Sequence, residues 1–475
     1  MHKYLLLDKG ILVGFNLTNA QIEVNQIQKD TENNPLFTEE FFAADAKKWE
    51  VRYDNGYPNV IYDEIYHVYR CYYTLFTLDE CSEQTPIERR GTDEYKPHGR
   101  IASLCYAQSD DGIHFVKPNL GLVEFNGNKN NNILMRYAHG TGVFLDKEEQ
   151  NPKKRYKLVT KVEYCAARHY MATAFSEDGI HFSNLMEWPE FNPAGDTHNF
   201  PMRDDKTGKF AVITRIWKDG VRICAKCESD NFINWSQPVE IMRGSGFEQQ
   251  VYSMPVFRYE NLYLGLASIY HEGDTDDANY DTVDVALAYS TKLEYFDRVT
   301  TQQYVIERDN APYRQGTFDC GCIYAAAPIE MDGKLWVYYM GGNGKHTGFR
   351  ETSFARGYWE KDKFAGYVAK NSAKSAKLVT SHFCLYGDNL YILADIAQGG
   401  SLSVALGTKQ GKIYEGFEAE NCILEQQNDG YYQVRFQNKK LTDLPHTVPV
   451  SLHITFSNAK VYAVKGDFEN HLLKY

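Results

Sequence analysis

The chain lacks any apolar run long enough to cross a bilayer as a helix, so no helical membrane span is expected. It also lacks a basic stripe. The formal net charge is -12, and binding to a phosphate backbone draws on clustered Lys and Arg, so nucleic acid is not an expected partner. The opening Met1–Asp8 holds only a short apolar run, which Asp8 and Lys9 interrupt, and no cleavage-site pattern follows; a cytoplasmic protein is expected. Metal and phosphate motifs are missing as well. Cys224-Ala225-Lys226-Cys227 has zinc or redox spacing but no second pair follows, and Cys320-Gly321-Cys322 is too tight for either role. The ten Cys are scattered and read as small buried residues of a reducing compartment. The acidic run His271–Asp277 lacks the closing Glu of a calcium loop and reads as a solvated loop. The Gly-rich stretch Gly341–His346 ends in no Lys-Ser/Thr and opens no helix, so it is no P-loop; its glycines suit a tight turn at a pocket rim. No metal and no cofactor are expected.

What the chain has is a repeated phrase. Ser109-Asp110-Asp111-Gly112-Ile113-His114-Phe115 returns as Ser176-Glu177-Asp178-Gly179-Ile180-His181-Phe182, with weaker copies at Ser229–Trp235 and Ser290–Phe296. Self-similarity at roughly 50–70 residues marks repeated supersecondary units. Each unit reads alike: an apolar strand ending in an acidic or turn residue, an aromatic-rich strand, a third strand ending in Ser, a turn, and an aromatic that opens a fourth strand. The five units begin near Asn59, Thr141, Asn199, Met254 and Cys322. Five four-stranded units predict a five-bladed β-propeller. The phrase itself reads as scaffold, its Ser and Asp capping a tight turn.

After about residue 372 the grammar changes to short strands separated by turn signals, which predicts a compact β-sandwich. The expected fold is therefore all-β: a five-bladed β-propeller followed by a C-terminal β-sandwich. The expected organisation is a lead-in segment over 1–50, the propeller over 51–371 and the sandwich over 372–475.

In a propeller the residues just before each inner strand converge at the axis. That register offers Asp54 in unit one, His139 in unit two, Asp196 and His198 in unit three, Glu248 and Tyr252 in unit four, and Asp319 in unit five. A packed core would place apolar residues there. Several carboxylates around one pocket suit glycoside hydrolysis, in which one acid protonates the leaving oxygen and a carboxylate serves as base or nucleophile. Asp54, Asp196 and Glu248 are the catalytic candidates. His139, His198, Arg215, Tyr252, Arg314, Asp319 and His346 are candidates for holding sugar hydroxyls. The plainer alternatives are a turn Asp for Asp54, a turn cap for Asp196, a solvated Glu248 and core histidines bonded to backbone.

The stretch Tyr53-Asp54-Asn55-Gly56-Tyr57-Pro58-Asn59-Val60-Ile61-Tyr62-Asp63, followed by Tyr66-His67-Val68-Tyr69, resembles the opening of the five-bladed propeller glycoside hydrolases, the superfamily containing families 32, 43, 62 and 68. That resemblance implies Asp54 as base or nucleophile, and the C-terminal region is similar to the accessory module of family 32. The chain departs from the pattern where the superfamily places its acid. Tyr252-Ser253-Met254-Pro255 carries no Glu before the Pro, and Glu248 lies four residues upstream. Arg203-Asp204-Asp205 lies at the far end of its strand, away from the site register. The Trp-Met-Asn-Asp-Pro and Glu-Cys phrases of family 32 are absent. The resemblance implies an exo-acting furanosidase, with β-galactofuranosides or arabinofuranosides favoured over fructofuranosides and an oligosaccharide or glycoside as partner. Assembly into a homo-oligomer stays open. A non-catalytic carbohydrate-binding propeller is the competing class. A phosphorylase or transglycosidase is a third, with Arg215, Arg314 and Arg350 available for phosphate.

Overall fold

The computed structural model describes residues 1–12, 17–165, 168–188, 193, 195–408 and 410–470. The molecule is nearly all-β, and its one α-helix among the described residues is the short Glu80–Gln84, capped by Asp79. Two compact units emerge. One gathers Met1–Asn25, Arg258–Leu262 and Glu360–Tyr475; the other holds Gln26–Phe257 and Tyr263–Trp359.

The larger unit is a series of antiparallel sheets in chain order. Sheet one is Asn59–Asp63, Val68–Leu78, Ile101–Ser109 and Ile133–Arg136. Sheet two is Ala138–Leu145, Tyr156–Cys165, Arg168–Ser176 and Met186–Glu187. Sheet three is Phe200–Arg203, Phe210–Lys218, Val221–Ser229 and Val239–Met242. Sheet four pairs Gln249–Ser253 with Leu262–His271, then Val283–Ser290 and Asp297–Arg298. Sheet five, continuous with sheet four in one eleven-stranded sheet through the parallel pair Val283–Cys322, pairs Cys322–Ala325 with Lys334–Gly342 and Thr352–Glu360. Its outer edge comes from the N-terminal region: Gln28–Lys29 and Phe37–Thr38 both pair with Thr352–Glu360. The segment read as one lead-in over 1–50 is thus divided, because residues 20–24 pair with Ala365–Ala369 in the other unit.

Side chains alternate across a strand, and the second strand of each sheet is buried on both faces, as in Val68–Leu78. Neighbouring sheets are tied in order. Asn59 Nδ2 donates to Thr141 O at 2.9 Å, and Asn199 Nδ2 to Gly140 O at 3.0 Å. Thr197 Oγ1 donates to Tyr252 O at 2.6 Å, and Val283 pairs with Cys322. Arg350, beside sheet five, donates to Asn55 Oδ1 at 2.6 Å, beside sheet one. The approach of sheets two and three needs glycine. A Cβ on Gly142 would stand 1.9 Å from Asn199 O.

The repeated phrase is a turn device. Ser109 Oγ accepts from Gly112 N at 3.0 Å, and Asp111 Oδ1 accepts from Ile113 N and His114 N at 2.8 Å each. Ser176 and Asp178 repeat this around Gly179, and Ser229 and Asn231 repeat it around Phe232. The turn residue has positive φ in all three, +74° at Gly112, +76° at Gly179 and +64° at Phe232.

The smaller unit is an eight-stranded sheet built on two long bent strands, Phe383–Gly407 and Pro449–Asn470, which pair through Tyr391–Lys465 at one end and Leu402–Phe456 at the other. His2–Leu5, Ala20–Val24, Ala365–Ala369 and Ala376–Val379 extend it. Its core includes Leu6, Leu378, Val404, Ile454 and Phe468.

Candidate active site

A polar cavity of about 660 Å³ opens in the larger unit, a size within the usual range for small-molecule sites. Asp54, His139, Asp196, Tyr252 and His346 all line it, so five sequence-derived candidates, His139 and Tyr252 on strands and the other three on loops beside sheets one, three and five, meet at one place.

Asp54 sits on a strained turn. Its φ is +54°, Gly56 follows at +67° and Tyr57 at +41°. Such backbone persists only where the surroundings over-determine it. Here Thr352 Oγ1 donates to Asp54 O at 2.9 Å, and Gly56 O accepts from Thr74 N at 2.7 Å. Two guanidiniums converge on Asp54 Oδ1, Arg350 NH2 at 2.9 Å and Arg52 Nε at 3.1 Å. Burial pushes this carboxyl up, but Arg350 and Arg52 outweigh it and hold the group well below the usual carboxylate range.

Across the cavity, His139 is held between two carboxylates. Its Nδ1 lies 2.7 Å from Glu163 Oε2 and its Nε2 lies 3.4 Å from Asp196 Oδ1. Burial pulls this imidazole down, yet Glu163 and Asp196 more than offset it, and its pKa is raised above 6.5. Asp196 also takes Arg215 NH2 at 3.0 Å. Burial raises the Asp196 carboxyl, while His139, Arg215 and Lys161 together bring it below its ordinary value. His346 has the opposite character. Enclosed by Tyr252 and Tyr270, with Tyr324 OH 3.2 Å from its Nδ1, it is driven down to about 3 by burial and by Arg350, and is a neutral hydrogen-bonding group.

Five candidates are not brought to the cavity wall. Glu248 is exposed on the loop before Gln249–Ser253, which fits the solvated reading. Asp319 is fully buried and already engaged by Lys29 Nζ at 2.7 Å, Tyr339 OH at 2.9 Å and Thr317 Oγ1 at 2.8 Å, a lock for the N-terminal edge strand. His198 is a core histidine with its Nε2 3.0 Å from Asn59 Oδ1, pushed down to about 3 by burial. Arg314 is exposed and donates to Ile87 O; its neighbour Tyr313 is the residue that faces the cavity. Arg215 is fully buried behind Asp196 and stacks on Tyr252 at 4.6 Å, so it orients the site from outside the cavity.

Sequence reasoning missed Arg90, Tyr95 and Arg100, which reach the cavity from the long insertion between the second and third strands of sheet one. An insertion of this kind follows no repeat, so no register pointed to it. Lys345 was adjacent to His346 in the Gly-rich loop and Arg52 was two residues from Asp54, both within reach of a closer reading. Cys224 and Cys227 are buried in Val221–Ser229, where a spacing of three puts side chains on opposite faces, so they form no common site.

No family model and no curated protein matches the sequence. Among solved structures, the chain is similar to the β-1,2-mannobiose phosphorylase from Listeria innocua in complex with β-1,2-mannobiose, with 14% identity over 70% of this chain and 96% of that one and a TM-score of 0.48. It is similar to an N-acetylgalactosamine deacetylase from F. plautii in complex with blood group B trisaccharide, with 12% identity, 71% and 96% coverage and a TM-score of 0.44. A glycosyl hydrolase from Bacteroides ovatus gives 13% identity, 71% and 95% coverage and a TM-score of 0.45. All three similarities lie below a TM-score of 0.5.

Proposed function

We propose that this protein is an exo-acting glycoside hydrolase. The observation that carries the reading is the convergence of Asp54 with the Asp196–His139–Glu163 chain on one polar cavity. The five sheets are read as blades of a propeller, supported by the ordered bonds from sheet one through sheet five and back to sheet one. The eight-stranded sheet of the smaller unit is read as an accessory sandwich.

Asp54, kept ionised by two guanidiniums, acts as base toward water or as nucleophile. Asp196, expected from sequence as an acid, is itself held ionised, so the proton for the leaving oxygen comes from the His139 imidazolium that it flanks. A general acid works best with its pKa near the operating pH, and a histidine raised by two carboxylates meets that condition. A terminal furanoside, galactofuranoside or arabinofuranoside first, remains the preferred substrate on the resemblance of the Asp54 segment.

One observation favours phosphorolysis as a second reading. Arg100 and Lys345 line the cavity, and neither forms an ion pair with a described carboxylate. Arg100, stacked on Phe76 at 4.7 Å, and Lys345, 5.3 Å over Tyr280, are cations of the cavity wall held by aromatic rings, and such cations suit a phosphate co-substrate.

The test is cleavage of a panel of 4-nitrophenyl furanosides and pyranosides, with and without phosphate, by wild type and Asp54→Asn. Release of one sugar without phosphate, abolished in the variant, supports hydrolysis. Strict dependence on phosphate moves the assignment to a phosphorylase. Sugar binding with no cleavage in either condition leaves a carbohydrate-binding protein.

A further inference from the structure

Trp217 stands half exposed at the end of the second strand of sheet three, Phe210–Lys218. A two-residue turn, Asp219-Gly220 with φ +54° and +77°, reverses the chain there, and Trp217 pairs with Arg222 across the hairpin. Positive φ at both turn residues is the type that matches strand twist, so the tip is a defined feature. Trp217 shares its strand face with Arg215, two residues earlier. Arg215 is the buried guanidinium bonded to Asp196, and its Cζ lies 4.6 Å from the centre of the Tyr252 ring and 5.4 Å from that of Trp217. One strand face therefore carries Arg215, which backs the cavity-lining Asp196 and Tyr252, and next to it an exposed indole one guanidinium removed from that wall.

The indole is backed and held. Arg222 Cζ lies 4.6 Å from its ring centre and 4.4 Å from that of Tyr270. That guanidinium is fixed in turn by Glu272 Oε2 and Gln250 Oε1, both at 3.0 Å, and Gln250 Nε2 donates to Glu272 at 2.9 Å. A large apolar ring left in water costs hydrophobic free energy, and a rigid one loses little entropy on binding. The apolar C–H face of a sugar ring is the chemistry that fits a fixed aromatic plane beside a polar cavity.

We propose that Trp217 is a stacking platform for the second sugar of an oligosaccharide whose terminal residue occupies the cavity, an outer subsite that makes the protein a reader of at least two sugar units. This rests on the glycoside reading above, and the experiment separates the two. Arabinofuranosyl, galactofuranosyl, fructofuranosyl and mannosyl disaccharides, and the methyl glycoside of each sugar, are titrated calorimetrically into wild type, Trp217→Ala and Trp217→Phe, with melting temperatures measured alongside. A methyl group is too short to reach the indole. For the disaccharide that binds wild type, Trp217→Ala is expected to weaken binding about tenfold. Trp217→Phe should recover part of the loss, and the matching methyl glycoside should bind all three proteins within about twofold. Unchanged disaccharide binding in Trp217→Ala, or an equal loss for the methyl glycoside, overturns the platform and leaves the glycoside reading standing. Failure of every sugar to bind wild type overturns both.

Discussion

At the scale of single residues the site is governed by how cations and carboxylates share protons. Asp54 and Asp196 are both held ionised, whereas His139 is the group whose pKa is raised. If the imidazolium is the proton donor, kcat/KM falls as pH rises through the His139 pKa, and His139→Asn removes that alkaline limb along with most of the activity. A pH–rate profile whose alkaline limb survives in His139→Asn would refute the assignment. Glu39 also has a displaced proton. Burial pushes its carboxyl up to about 8, aided by Glu351 and opposed by Arg52 and Arg90. Its Oε2 accepts from Tyr53 N at 2.8 Å, next to Asp54. A carboxyl whose folded pKa exceeds its unfolded value contributes stability that is complete below pH 4.5 and is lost as pH rises through about 8. Glu39→Gln should therefore lose less stability than wild type between those two values. Parallel melting curves for the two proteins across that range would show the charge of Glu39 to be irrelevant.

At the scale of the element, the repeated turn is where sequence and local structure correspond most closely. Asp111 and Asp178 each collect two backbone N–H groups, and Ser109 and Ser176 a third. Loss of a side-chain cap of this type costs about 1 kcal/mol. Asp111→Ala and Asp178→Ala should each lower stability by about that amount, add together because the turns are distant, and leave activity unchanged. Urea titrations of the single and double variants test the sum, and an activity loss in either would give the phrase a role in the site. The turn at Asp54 differs in kind. No repeat announces it, and its positive φ run is imposed by Thr352, Arg350 and Thr74, which are distant in sequence, together with the nearby Arg52.

At the scale of the larger unit, sheets are clasped by the acidic residues that end the first strands. Asp63 accepts from Tyr156 and pairs with Arg70 at 3.0 Å; Asp146 pairs with Arg203 at 2.6 Å and Lys157 at 2.9 Å; Asp204 accepts from Tyr263. Each aspartate reaches a partner on the following sheet. The Arg203-Asp204 pair, at the far end of its strand from the site register, thus belongs to two successive clasps. Removing one member of a buried pair leaves an uncompensated charge, at a cost of about 3–5 kcal/mol. Asp146→Ala leaves buried Lys157 to Glu149 and Arg203 to the more distant Glu148, and should lower the unfolding free energy toward the low end of that range. A denaturant midpoint close to wild type would show the clasp to be dispensable.

The amino-acid sequence by itself determined the order of the strands, their turns and the acids that end three of the first strands, Asp63, Asp146 and Asp204, because alternation, capping and turn chemistry act over a few neighbouring residues. It also placed Asp54, His139, Asp196 and Tyr252 at one register and His346 on a Gly-rich loop, and these five line one cavity. Tertiary structure alone decided the rest. Glu248 was left in solvent and Asp319 was consumed by Lys29, while Arg90, Tyr95 and Arg100 were delivered from an insertion. The same holds for charge. Whether Asp54 or Asp196 keeps a proton depends on guanidiniums that arrive from residues 350 and 215, and Coulomb interaction follows distance in space, which strand pairing sets and sequence separation does not.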